Sequence, residues 1–223
     1  MKQKLFVQAM IKICAGLIII GLLVFGPAGT LHYWNGWLFL GVLFLPMILI
    51  GVVLLIKRPE LLEKRLKAKE SRAEQSLVIK LSGLMFMVGF IMAGISYRFD
   101  WLTVPRSGAV VAAAVFLIGY GMYLEVIREN AYLSRVIEVQ EGQKVVDTGL
   151  YGIVRHPMYS ATILMFLAMP LILGSLISFV IFLVYPMIIG MRIKDEELFL
   201  EQELEGYREY KQKVKWRLVP FVW

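Results

Sequence analysis

The chain has 223 residues, 59% of them apolar and 18% charged, with a formal net charge of +7 and a mean hydropathy of +0.70. Soluble chains carry about 45–50% apolar and about 25% charged residues, so the composition excludes a soluble protein, and its hydrophobicity excludes a disordered one. The single cysteine, Cys14, excludes an intramolecular disulfide and any multi-cysteine metal site.

A membrane span needs about 20 mostly apolar residues. Six segments qualify in chain order: about Ile13–Thr30, Trp37–Ile56, Leu81–Tyr97, Gly108–Ile127, Met158–Leu173 and Leu176–Met191. Only Gly174-Ser175 separates the last two, which predicts a tight helical hairpin of short helices, tilted, partly re-entrant or buried against the others. The charged start Met1–Lys12 before an apolar run is similar to a signal peptide. The run is long and Gly26-Pro27-Ala28-Gly29 is a poor cleavage site, so the first helix is expected to stay.

Charge placement orients the chain. The start, Lys57–Lys80, Arg128–Pro157 and Arg192–Trp223 together hold all Lys and Arg except Arg98 and Arg106. The positive-inside rule puts these four segments, and both termini, in the cytoplasm. The basic excess is therefore topological, with a second role on anionic lipid headgroups, and nucleic acid is unnecessary as a partner. The fold class expected is an all-α polytopic membrane bundle of about six spans. It forms one domain, 1–223, with spans and an amphipathic linker in 1–128 and the cofactor-binding and catalytic region in 129–223.

Among the cytoplasmic parts, Lys57–Lys80 reads as an interfacial helix punctuated by Leu61, Leu62, Leu66 and Leu77, with Pro59 at its first position. Asn130–Gly149 has β-branched alternation around Glu141-Gly142-Gln143 and predicts a short hairpin or extended loop. Ile188–Tyr210 reads as one helix leaving the membrane.

Chemistry is concentrated in two constellations. The first is Gly149-Leu150-Tyr151 followed by Arg155-His156-Pro157-Met158-Tyr159. Pro157 suits a helix start, whose free N–H groups favour an anion, and Arg155 and His156 add donors. The competing reading is ordinary interfacial Arg, His and Tyr. The second is Arg192, Asp195, Glu196 and Glu197, followed by Tyr207 and Tyr210. Arg192 and Glu196 share a helix face, and a carboxylate at a membrane mouth is costly unless solvated or paired. Its competing reading is a solvated helix face, which suits Glu201, Glu203, Glu205 and Glu209.

Other signals are weaker. Glu125, an acid near the end of the fourth span, reads equally as a functional candidate and as a residue snorkelling with Arg128. His32, Tyr33, Trp34 and Trp37 read as an outer aromatic belt. Gly119-Tyr120-Gly121 is no nucleotide fingerprint, and Cys14 is expected in helix packing. A zinc site is not expected from two histidines on opposite sides of the membrane.

The run "GLYGIVRHPMYSA", then an apolar hairpin, then "RIKDEELFLEQELEGYREYKQKVKWRLVP", resembles the isoprenylcysteine carboxyl methyltransferase family, to which membrane phospholipid methyltransferases are related. The resemblance covers about Asn130–Pro220. It implies S-adenosylmethionine as cofactor at the cytoplasmic ends of the last helices and a membrane lipid or lipidated molecule as partner. It implies cofactor contacts from Gly149, Tyr151, His156, Pro157, Tyr159, Arg192, Glu196, Glu197, Tyr207 and Tyr210, with Arg155, Glu197 and Tyr159 in catalysis and no metal. Leu150, where Pro is usual, and "ELEGY", where Phe-Gly often precedes, depart from the pattern without touching a polar contact. Carboxylate O-methylation is the activity this favours. The alternatives are phospholipid amine N-methylation, an NADPH-dependent membrane reductase and a non-enzymatic lipid-binding protein. The short tail and the lack of a targeting signal predict a prokaryotic plasma membrane. Oligomeric state is unreadable from the helix faces.

Overall fold

The structure, a computed structural model, describes residues 2–67, 73–133 and 138–223. Nine α-helices follow among them. α1 (Lys2–Ala28), α2 (Trp34–Lys57), α3 (Pro59–Lys67), α4 (Ala73–Phe99) and α5 (Arg106–Glu129) come first, then α6 (Pro157–Ile172), α7 (Leu176–Phe182), α8 (Tyr185–Glu203) and α9 (Tyr207–Lys213). No strand occurs among the described residues, and the chain is an all-α bundle.

Five helical stretches are long and apolar enough to cross a membrane: Gln3–Ala28, Trp34–Lys57, Leu77–Phe99, Arg106–Glu129 and Leu176–Glu203. About six spans were expected, and Pro157–Ile172 follows as a further, shorter apolar helix. The segment expected as the fifth span is α6, whose 16 residues reach about 24 Å, short of a hydrocarbon core of about 30 Å. The helix nevertheless runs from one end of the bundle to the other. At its end, Gly174 O accepts from Val104 N at 2.9 Å and Leu102 O from Leu176 N at 3.0 Å, tying the α6–α7 turn to the α4–α5 loop. Its start lies at the opposite end, beside the exit of α5. Gly174 takes the left-handed conformation (φ +78°) that the reversal needs.

The end holding the α6–α7 turn is locked by buried polar groups. Tyr33 donates to Leu173 O and Asn35 Nδ2 to Ile172 O at 2.8 Å, satisfying the last carbonyls of α6. Ser175 Oγ donates to Ser96 Oγ, and Ser178 Oγ to Gly89 O, each at 2.8 Å. Tyr33 is fully buried, so it leaves the expected aromatic belt and joins the core. A chain lead-in that turns the ring inward is invisible to a composition rule. Trp37 stays outside, 54% exposed, and Arg106 stacks 4.4 Å over Trp34. Cys14, expected in helix packing, is exposed instead.

The centre is aromatic. Phe86 meets Phe166 and Phe182 edge-on, with centroids 4.9 and 5.4 Å apart. Such rings prefer edge-to-face contact. Lipid tails are as apolar as these side chains, so close packing rather than water release holds helices together here. Small residues serve the same end. A Cβ on Gly119 of α5 would come within 2.8 Å of Met165 Cγ and 3.1 Å of Ala161 O on α6.

At the opposite end, α3 begins at Pro59 as expected, but residues 68–72 of the linker lie outside the described set, and α4 already starts at Ala73. Glu125 and Arg128 pair at 2.5 Å. The single helix expected over Ile188–Tyr210 is broken. α8 stops at Glu203, and Gly206 at φ +82° turns the chain into α9. Charge periodicity continued across this point, and the glycine ended the helix.

Gly94 of α4 lies so close to α1 that a Cβ would sit 2.5 Å from Val24 O and 3.0 Å from Ala28 N, both backbone atoms, whereas a Cβ on Gly121 would meet nothing within 4 Å among the described residues. Gly94→Ala is therefore expected to destabilise the bundle by about 1–3 kcal/mol, while Gly121→Ala is neutral or stabilising through helix propensity. Thermal unfolding of both variants in detergent reads the difference; equal midpoints would sink this packing account.

Candidate functional site

The chain from Asp147 to Tyr159 sets up the site. Gly149–Gly152 forms a 3₁₀ turn, and His156 then precedes α6, with Pro157 at its first position. The last segment of the chain pins this stretch from behind. Trp216 O accepts from Arg155 N at 2.8 Å, and Arg217 O accepts from His156 N at 2.9 Å. Leu218 O accepts from Ser160 Oγ at 2.7 Å.

Glu197 is the centre of the cluster behind the helix start. Only 2% exposed, it takes Arg155 Nε at 2.7 Å and His156 Nε2 at 3.2 Å on one oxygen, and Arg217 Nε at 3.0 Å on the other. Lys211 Nζ lies 3.8 Å away. A carboxylate accepts only, so the imidazole proton sits on Nε2. Arg155 completes its bonding with Nη1, which donates to Val214 O and Lys215 O, each at 2.8 Å.

In front of this cluster opens a half-enclosed cleft. Tyr159 forms its floor. Its hydroxyl donates to Glu196 Oε2 at 2.5 Å and accepts from Arg192 Nε at 2.8 Å. The ring stacks on His156, with centroids 5.7 Å apart. One wall is α8 and α9, through Arg192, Glu196, Leu200, Leu204, Tyr207 and Tyr210. The facing wall is the segment after α5, with Asn130, Tyr132, Leu133, Glu138 and Lys144–Val146. Asn130 Nδ2 donates to the Tyr151 hydroxyl at 2.9 Å, and Tyr210 donates to Tyr151 O at 2.8 Å. Burial pushes the Tyr151 hydroxyl up to about 12, with the Asn130 bond opposing the shift.

The structure thus brings most of the expected residues together. Arg155 and His156 line the cleft from the lead-in to α6, Pro157 and Tyr159 from its first turn, Arg192 and Glu196 from α8, and Tyr151, Tyr207 and Tyr210 complete the walls. Two expected residues lie off the lining. Glu197 sits behind it, bonded to Arg155, His156 and Arg217. Gly149 packs against Glu129, whose carboxylate carbon would lie 2.9 Å from an added Cβ. The anion site expected at the start of α6 is also reduced: the N–H groups of Tyr159 and Ser160 already bond to His156 O, leaving Met158 as the donor of the first turn.

Several residues were not anticipated. Arg217 and Lys211 stand 20 and 14 positions from Glu197, and only the fold-back of the chain brings them there. Asn130, Tyr132 and Leu133 follow α5 without any motif. In the expected hairpin, the turn is present: Gln143 N donates to Gln140 O at 3.0 Å, and Gly142 has φ +70°. No strand flanks it among the described residues, and Ser134–Ile137 lie outside them. Tyr132 fastens the turn to the wall by donating to Gly142 O at 3.1 Å. No group of three or more His, Cys, Asp or Glu suited to a metal occurs among the described residues.

Residues 108–205 match the family model described as phospholipid methyltransferase. The match takes in α5, the cleft wall, α6, α7 and α8, and it supports a membrane methyltransferase. No curated protein matches the chain.

Removing Glu197 leaves the buried Arg155 guanidinium without its carboxylate. Breaking such a pair costs about 3–5 kcal/mol, whereas apolar replacement of both partners is often neutral. Glu197→Leu is therefore expected to lose about that much stability in a denaturant titration in detergent, and adding Arg155→Met to recover part of it. No recovery in the double variant would count against Glu197 as the partner that Arg155 depends on.

Proposed function

We propose that the protein is an integral membrane methyltransferase that uses S-adenosylmethionine and acts on a lipid or lipidated acceptor in the inner leaflet. The observation that carries this reading is the cleft at the start of α6, where Tyr159, Arg192 and Glu196 form one hydrogen-bonded unit. The family match over residues 108–205 supports it.

The residues present suit the cofactor. It is a zwitterionic amino acid joined to a nucleoside through a cationic sulfur. The cleft offers carboxylates (Glu196, Glu138), cations (Arg192, Lys144) and hydroxyls (Tyr132, Tyr159) around apolar walls from Leu133, Val145, Leu200 and Leu204. Bound there, S-adenosylmethionine supplies an electrophilic methyl group. Glu196 favours a cationic centre near it. Arg192 holds the Tyr159 hydroxyl, so that its proton points to Glu196 and the carboxylate keeps one orientation. The Glu197 cluster keeps the His156–Tyr159 floor rigid. Alignment of this kind can lower a barrier by up to about 7–11 kcal/mol.

The acceptor is read two ways. The motif resemblance favours a carboxylate, which needs no general base. Glu196 favours an amine, because an amine must shed its proton before it attacks and a carboxylate in the cleft can take it up. The NADPH reductase reading has no support in the family match.

Calorimetry in detergent is expected to show binding of S-adenosylhomocysteine and none of NADPH. Glu196→Ala and Tyr159→Phe should each weaken that binding about tenfold without unfolding the protein, as for loss of a charge-assisted hydrogen bond. Purified protein given radiolabelled S-adenosylmethionine should transfer label to a lipid from a panel containing a prenylated cysteine and phosphatidylethanolamine. The labelled lipid identifies the acceptor. Failure to bind S-adenosylhomocysteine would defeat the proposal.

A further inference from the structure

Among the described residues, the Tyr207 hydroxyl stands out in the site. The residue is only 4% exposed, and its oxygen is buried with no hydrogen-bond partner among them. Its neighbours are not in this position: Tyr210 donates to Tyr151 O, Tyr151 accepts from Asn130, and Tyr159 has two partners. A buried polar group left unmade costs free energy that a phenylalanine would not, and packing does not demand the oxygen. The ring is held by the Leu204, Tyr210 and Val214 cluster and meets Tyr210 with centroids 5.8 Å apart. Tyr207 also lines the cleft.

We propose that the Tyr207 hydroxyl is a reserved donor for a neutral acceptor atom, an oxygen or ring nitrogen, on the nucleoside part of the cleft's ligand. This rests on the cofactor reading above and says which part of the ligand meets α9. The charge around the hydroxyl supports the neutral class. Burial, then the carboxylates of Glu197 and Glu196, push it above the ordinary tyrosine range, with Arg155 opposing them, so it stays protonated and donates. At this hydroxyl the two carboxylates outweigh Arg155, which disfavours an incoming carboxylate or phosphate there relative to a neutral atom. The amino-acid end of the ligand is then left to the Arg192, Glu196 and Tyr159 side of the cleft.

Tyr207→Phe removes one oxygen and tests the assignment in two opposite directions. The ligand-free protein should become more stable, its thermal midpoint in detergent rising by about 2–4 °C. Affinity for S-adenosylhomocysteine should fall about three- to tenfold, the worth of one neutral hydrogen bond. Equilibrium dialysis with radiolabelled adenosine should show a loss of the same factor, because adenosine keeps the nucleoside and lacks the amino acid. A structural hydroxyl would give the reverse first result, a lower midpoint, and that overturns the proposal. So does an unchanged affinity for S-adenosylhomocysteine. Adenosine behaving alike with both proteins, including no binding to either, rejects the nucleoside assignment. If the wild type binds no S-adenosylhomocysteine, the cofactor reading itself fails and takes this proposal with it; the wild-type arm therefore separates the two failures.

Discussion

One buried carboxylate organises the functional end of this bundle. Glu197 sits within 4 Å of Arg155, Arg217, Lys211 and the His156 ring, and those partners come from three separate parts of the chain: the lead-in to α6, α9 and the final segment. An isolated carboxylate at such depth would be prohibitively costly. The ion cluster can form only when α6, α8, α9 and the final segment have all arrived. Its stability value is limited, because desolvation offsets much of the attraction. Its structural value is specificity: it admits one relative placement of the three helices.

That placement explains how labour is divided between adjacent acids. Glu196 and Glu197 are neighbours on α8, so their side chains point about 100° apart around the helix. One turns inward to the arginines and the other to the cleft and Tyr159. Before α6 the labour is shared instead: Arg155 and His156 both bond Glu197 and both line the cleft, so this pair joins the buried cluster to the cleft wall.

Much of this was legible in the chain. Apolar runs marked the helices, and Pro157 marked the start of α6. The pairing of the Arg155–Tyr159 motif with Arg192–Glu197 pointed to one shared site. Three features were not legible, for physical reasons. The length of α6 was near the threshold for a span, and only its tie to the α4–α5 loop shows that it traverses the bundle. The inward turn of Tyr33 depends on a partner carbonyl 140 positions away. The separate roles of Glu196 and Glu197 depend on rotation about α8, which adjacency in sequence hides. Arg217 lay inside the resembling run but had no role to mark it, since its part is set by the fold-back of the last ten residues.

The shortness of α6 has a geometric consequence for access. From the Gly119 crossing, α5 continues for ten residues, about 15 Å, while α6 reaches back from the facing Ala161–Met165 turn to Pro157 in about 6–12 Å. The floor of the cleft is therefore recessed below the rim that α5 builds. On the proposed lipid-acceptor reading, a sunken floor shortens the distance that an acceptor anchored by its hydrocarbon chain has to rise, while a water-soluble ligand has to come down past the rim.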